Sequence, residues 1–143
     1  MEKEIENAEN NYNQAFGNYM LANVDVCRTR DFLKNLQSSY RFYQKEILKY
    51  KKYLKNINDF CARHNLPKSK KPWERIHDYL NIIGYYKEQI VKCQKQIVKT
   101  RALLRKYETK QNLAYNGHQD TKKEVREVLF KDVLNDFLRG KHN

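Results

Sequence analysis

Residues 41–60 read RFYQKEILKYKKYLKNINDF, six Lys or Arg and five Tyr or Phe within one short stretch. Interleaved basic and aromatic side chains are what a nucleic-acid-binding surface needs, since rings stack on bases while ammonium groups meet phosphates. The same mixture arises when a long helix buries its aromatics in a coiled-coil seam and solvates its lysines. Position decides between the two. Stepping alternately by three and four residues from Ile5 visits Ala8, Tyr12, Ala15, Tyr19, Ala22, Val26, Thr29, Leu33, Leu36, Tyr40, Tyr43, Ile47, Tyr50, Leu54, Ile57 and Cys61, and only Thr29 is clearly polar. Tyr40, Tyr43 and Tyr50 fall on this seam and are expected in the core. Phe42, Tyr53 and Phe60 fall off it and are expected to cover its flanks. So sustained a heptad pattern predicts one helix over about residues 2–64, with Gly17-Asn18 and residues 23–25 as places where it could bend.

The pattern stops at RHNLPKSKK, residues 63–71, because Pro67 cannot continue a helix. Pro72 suits the first turn of a new one, and Glu74 faces its positive end. From Ile76 the count resumes through Tyr79, Ile83, Tyr86, Ile90, Cys93, Ile97, Thr100, Leu104, Tyr107, Gln111 and Ala114, which predicts a second helix over about 73–114. Asn116-Gly117 reads as a break, and Thr121 with Glu124 reads as a capping box opening a shorter third helix over about 121–139. The expected fold is therefore all-α: a long antiparallel helical hairpin over 1–115, with a C-terminal helix in 116–143 packed on the N-terminal part of helix one or on a partner. Loop symmetry centres the turn between Lys68 and Ser69, so facing residues should sum to about 137. The seam of Ile5, Tyr12 and Tyr19 would then lie beyond the end of helix two. These three residues, with Phe130 and Phe137, are the candidate protein interface, the large rings complementing the small Ala8 and Ala15. Trp73 is expected to close the hairpin by packing on the linker.

Composition bounds the function. The chain has 143 residues, four glycines, two prolines and a formal charge of +12. Its three cysteines, Cys27, Cys61 and Cys93, lack a metal-type spacing and cannot all be paired, which fits a reducing, intracellular setting such as cytoplasm, nucleoid or virion. Neither a leader-like start nor an apolar run long enough for a membrane span is seen, so no membrane partner is expected. Lys, Asn and Tyr are all encoded by AT-rich codons, so net charge alone is a weak argument for a polyanionic partner. Its distribution says more: residues 1–26 carry −4, residues 27–115 carry +15, and residues 116–143 carry +1. Arg41, Lys45, Lys49 and Lys52 recur on the outward side of helix one, as do Lys92, Lys95, Lys99 and Lys106 on helix two. Lys68, Lys70 and Lys71 lie in or beside the linker. These are the candidate nucleic-acid contacts, with DNA or RNA the expected partner through charge neutralisation along a phosphate backbone. The alternative is a protein-assembly module, homo-oligomeric or part of a viral or phage structure or an inhibitor, whose lysines merely solvate a coiled coil. Cys61, His64 and His77 lie near the linker but lack a fourth ligand, so no metal is expected. No glycine-rich phosphate loop, metalloprotease motif or nucleophile elbow is present, and a two-helix seam offers little concavity for a substrate. The expectation is a non-enzymatic protein without cofactor or small-molecule substrate.

Overall fold

A computed structural model describes residues 1–68 and 70–142, with side chains through residue 140. It contains two helices, α1 (Glu2–His64) and α2 (Lys71–His142), which pack against each other as a helical hairpin. All seventeen seam positions of α1 and all twelve of α2 are buried or half-buried, whereas most residues between them are exposed. Packing therefore follows the heptad count, and the apolar stripe rather than helix propensity holds each helix in place. Gly17 lies inside the continuous α1, where a glycine costs about 0.5–1 kcal/mol relative to alanine. Seam packing on both sides absorbs that loss.

The turn is built from three local devices. Asn65 adopts a left-handed conformation, with φ of 47°, and the Leu66 amide donates to the Cys61 carbonyl at 3.2 Å. That six-to-one bond around a left-handed residue is a Schellman C-cap, for which Asn is the usual substitute for Gly. Pro67 then prevents helix resumption, and its carbonyl accepts from Lys70 N–H at 3.0 Å. Finally the Trp73 indole Nε1–H donates to the Leu66 carbonyl at 3.0 Å, tying the first turn of α2 to the end of α1. Trp73 thus closes the hairpin as its position implied. Ser69, on which the expected centre of the linker falls, lies outside the described residues.

The chain groups into two compact units, residues 1–30 with 102–143 and residues 31–101. The second contains the turn and most of the fully buried apolar residues: Leu36, Ile47, Cys61, Ile76, Ile83, Cys93 and Ile97. In the first, Ala8 and Val26 are fully buried and polar seam residues find partners. Thr29 Oγ1 donates to the Asp25 carbonyl at 2.7 Å, and Gln111 Nε2 donates to Asn23 Oδ1 at 2.7 Å. Tyr19 meets His118 and Tyr115, and Tyr50 meets Tyr86, in agreement with the expected register to about one turn, whereas Tyr50 also meets Tyr79, about two turns away from it. All three cysteines are free thiols.

The third helix is where the expectation fails. α2 passes through Asn116 and Gly117 without a break, and the three-and-four count simply continues from Ala114 through His118, Thr121, Val125 and Val128, all half-buried. The reason is packing on α1. His118 sets its ring against Tyr12 at 5.0 Å, Phe16 at 5.5 Å and Tyr19 at 5.8 Å, while Tyr115 meets Tyr19 at 5.6 Å. Aromatic pairs are worth about 0.5–1.5 kcal/mol each beyond their buried area, so this cluster outweighs the helix cost of one glycine. Thr121 is correspondingly not a cap, because its hydroxyl donates back to the His118 carbonyl at 2.9 Å. Ile5, Tyr12 and Tyr19, expected to await a separate helix or a partner, are instead half-buried within this unit, with the Tyr12 and Tyr19 rings against α2 itself. Phe130 and Phe137, expected to complement Ala8 and Ala15, instead keep most of their surface in solvent, at 69% and 57% exposed.

Candidate nucleic-acid interface

Residues 31–101 carry 17 Lys and Arg against 6 Asp and Glu, so this unit holds +11 of the chain's +12. Among the described residues only one of those cations has a carboxylate within 4.0 Å, Lys49 with Glu46 at 3.7 Å. The positive charge is thus largely unneutralised by the protein. The other unit is nearly neutral and contains the remaining ion pairs, Arg30 with Glu108, Lys123 with Glu127 and Arg139 with Asp136.

Seven rings form a connected cluster in the basic unit: Phe42, Tyr43, Tyr50 and Tyr53 from α1, and Tyr79, Tyr85 and Tyr86 from α2. Tyr43, Tyr50, Tyr79 and Tyr86 are seam residues and half-buried. The other three stand at its edge: Tyr85 is 57% exposed, Phe42 52% and Tyr53 40%. Phe42 and Tyr53 do cover the seam's flank, packing on Tyr86 and Tyr79 respectively, yet each keeps much of its surface in solvent. Lys49 extends across them, its Nζ 5.4 Å from the Tyr50 centroid and 5.9 Å from that of Tyr53. The Tyr86 hydroxyl is held above the ordinary tyrosine value of 10.0, first by desolvation and then by the Glu46 carboxylate, with Tyr50 and Tyr85 adding to the rise and Lys49 opposing it. Tyr86 therefore stays a neutral hydrogen-bonding group well into alkaline pH and brings no negative charge to a polyanion.

The heptad period sorts the nominated cations. Lys49 lies one heptad after Phe42, and Lys92 and Lys99 lie one and two heptads after Tyr85, so these three share the flank of the exposed rings. Lys45, Lys52 and Lys95 are exposed on the backs of their helices, away from the seam. Arg41 belongs to the opposite flank. There it lines an open groove of ≈ 510 Å³ with Gln37, Tyr40, Gln94, Ile97, Val98 and Arg101. In that groove Gln94 Nε2 donates to the Tyr40 hydroxyl at 3.4 Å. Lys71 lies at the turn beside Phe60, Pro72 and Arg75, with Lys68 and Lys70 exposed nearby in the chain. Lys106 is exposed but belongs to the other unit. The nominated set is thus divided among several surfaces.

Sequence reasoning missed Tyr85 as a member of the site, although its spacing of seven from Lys92 was available. It also passed over Arg101 and Gln94, which stand out only once the groove is seen. Among the described residues no three His, Cys, Asp or Glu side chains gather as a metal site, and the His64 ring instead packs on Phe60 at 4.5 Å. No described helix is long and apolar enough to cross a membrane. Compared with protein-family models, curated proteins and solved structures, the chain matches none.

Proposed function

We propose that this chain is a non-catalytic nucleic-acid-binding protein that takes single-stranded RNA or DNA along the flank formed by Phe42, Lys49, Tyr53, Tyr85, Lys92 and Lys99. The observation that carries the reading is the concentration of cations in residues 31–101, with a single carboxylate partner for them among the described residues. Free ammonium groups along a backbone-tracking surface gain affinity by releasing counterions from phosphate. The exposed rings favour single strands, because an unstacked base can lie on a half-exposed ring and duplex bases cannot. Lysine rather than arginine predominates among these cations, which suits a point-charge contact with phosphate more than bidentate base reading, so affinity without marked sequence preference is expected.

Fluorescence anisotropy with labelled single-stranded oligonucleotides tests this directly. Affinity should fall steeply with salt, and the triple variant Lys49→Glu, Lys92→Glu, Lys99→Glu should abolish binding. A matched variant in the neutral unit, Lys122→Glu, Lys123→Glu, Arg126→Glu, changes net charge equally and should bind far better. No retention of any oligonucleotide at low salt removes the proposal, and equal losses in both variants would reduce it to a net-charge effect.

A further inference from the structure

A second surface lies at the C-terminal end of α2, where the amphipathic pattern is inverted. The count that faces α1 runs from Val125 and Val128 into Asp132 and Asn135, both half-buried. The apolar side chains of the same stretch point away: Phe130 is 69% exposed, Val133 66%, Phe137 57% and Leu134 44%, flanked by Leu129 and Leu138. Phe130, Val133, Leu134 and Phe137 stand at i, i+3, i+4 and i+7, the spacing by which a helix presents anchors to another helix. Together they expose on the order of 500 Å² of apolar side chain, towards the upper end of what a monomer usually leaves in water.

We propose that this stripe is a self-association surface on which a second copy of the chain docks antiparallel. Two features select a second copy over other occupants. The stripe is nearly palindromic, aromatic, aliphatic, aliphatic, aromatic, about a centre between Val133 and Leu134. A two-fold axis there sets Phe130 of one copy against Phe137 of the other and Val133 against Leu134, the self-complementarity that a symmetric interface requires. Charge is the second feature. Arg126 and Lys131 are mixed with Glu127, Asp132 and Asp136, so the segment is almost neutral, and two copies meet there without the repulsion that residues 31–101 would impose. The same neutrality makes the stripe a poor phosphate surface. The inference stands independently of the proposed nucleic-acid binding.

Sedimentation velocity of the full chain over a wide concentration range should show a monomer–dimer equilibrium. Phe130→Glu and, separately, Phe137→Lys should each weaken it by roughly 30-fold or more, the equivalent of losing one hot-spot residue. Because Phe130 and Phe137 are mostly exposed, helical circular dichroism should be unchanged in both variants. Mixing Phe130→Glu chains with Phe137→Lys chains should restore a heterodimer, since the introduced charges then face each other while the remaining Phe137 and Phe130 stay paired. A chain that is monomeric at all concentrations overturns the inference, as does an oligomer that Phe130→Glu does not weaken. Absence of recovery on mixing overturns the antiparallel pairing.

Discussion

Replacing His118 by phenylalanine should make the protein more stable. His118 occupies a seam position where neighbouring heptads carry apolar or aromatic residues, and its Nδ1 is buried without a hydrogen-bond partner. An unsatisfied buried acceptor costs about 1–3 kcal/mol in lost hydration. Phenylalanine removes that atom while retaining a ring to face Tyr12, Phe16 and Tyr19, now 5.0, 5.5 and 5.8 Å from the imidazole centroid. The opposing term is overpacking by a larger ring, which can reach about 1–3 kcal/mol in a tight core. It should be at the low end here, because His118 is only half-buried and the extra edge can turn outward. The net expectation is a gain of about 1 kcal/mol, or a rise in Tm of about 2–4 °C for a chain near this size. Thermal unfolding at pH 8 followed by circular dichroism, alongside His118→Ala, separates the contributions. Alanine gives up the ring contacts as well as the imidazole and should lower Tm. A His118→Phe protein that melts below the parent would refute the reasoning, since it would mean that Nδ1 is satisfied in solution or that the aromatic cluster has no room.

Other outcomes follow from the same geometry. Asn65→Gly should leave stability unchanged or slightly raised, whereas Asn65→Val should lower it by about 1–2 kcal/mol because a β-branched residue resists the left-handed conformation; denaturant midpoints decide. Trp73→Phe removes the indole donor to the Leu66 carbonyl and should cost about 1 kcal/mol by the same assay. Ile97→Ala, at a buried seam position, should cost about 2–5 kcal/mol, while Leu48→Ala, 67% exposed, should stay within about 0.5 kcal/mol. Tyr86 has a folded-state pKa above its unfolded value, so its contribution to stability is complete below pH 10 and is lost as pH rises beyond it. An ultraviolet difference titration of the parent against Tyr86→Phe should place the ionisation of Tyr86 above pH 10. Phe42→Ala and Tyr85→Ala should each weaken single-strand binding by about 1–3 kcal/mol if a base stacks on that ring.

Much of the fold was legible because a heptad seam is a local, repetitive signal. Each of the residues from Ile5 to Cys61 and from Ile76 to Ala114 that the count selected is withdrawn from solvent. The turn was legible in part: Pro67 and Trp73 announced it, while Asn65, the residue whose left-handed conformation ends α1, was passed over although its place two residues before a proline was a usable cue. Gly117 misled for the opposite reason. A breaker next to Asn is a local preference of about 1 kcal/mol, and residues nearly a hundred positions earlier, Tyr12, Phe16 and Tyr19, override it by packing on His118. The candidate site was less legible. Lys49, Lys92 and Lys99 were named, but so were Arg41 and Lys95 as though on one surface. Only the heptad positions combined with observed exposure separate the ring-bearing flank from the opposite groove.

The amino-acid sequence by itself determined that two stretches must be helical, which edge of each is buried, and where the chain reverses, because periodicity of 3.5 residues and a proline act within a turn or two of themselves. Tertiary structure alone decided that the second helix runs on past Gly117, which aromatic rings remain in solvent, and that Phe130 and Phe137 face outward. Those outcomes depend on which residues of α1 lie across the seam, a relation between segments distant in sequence that no local pattern encodes.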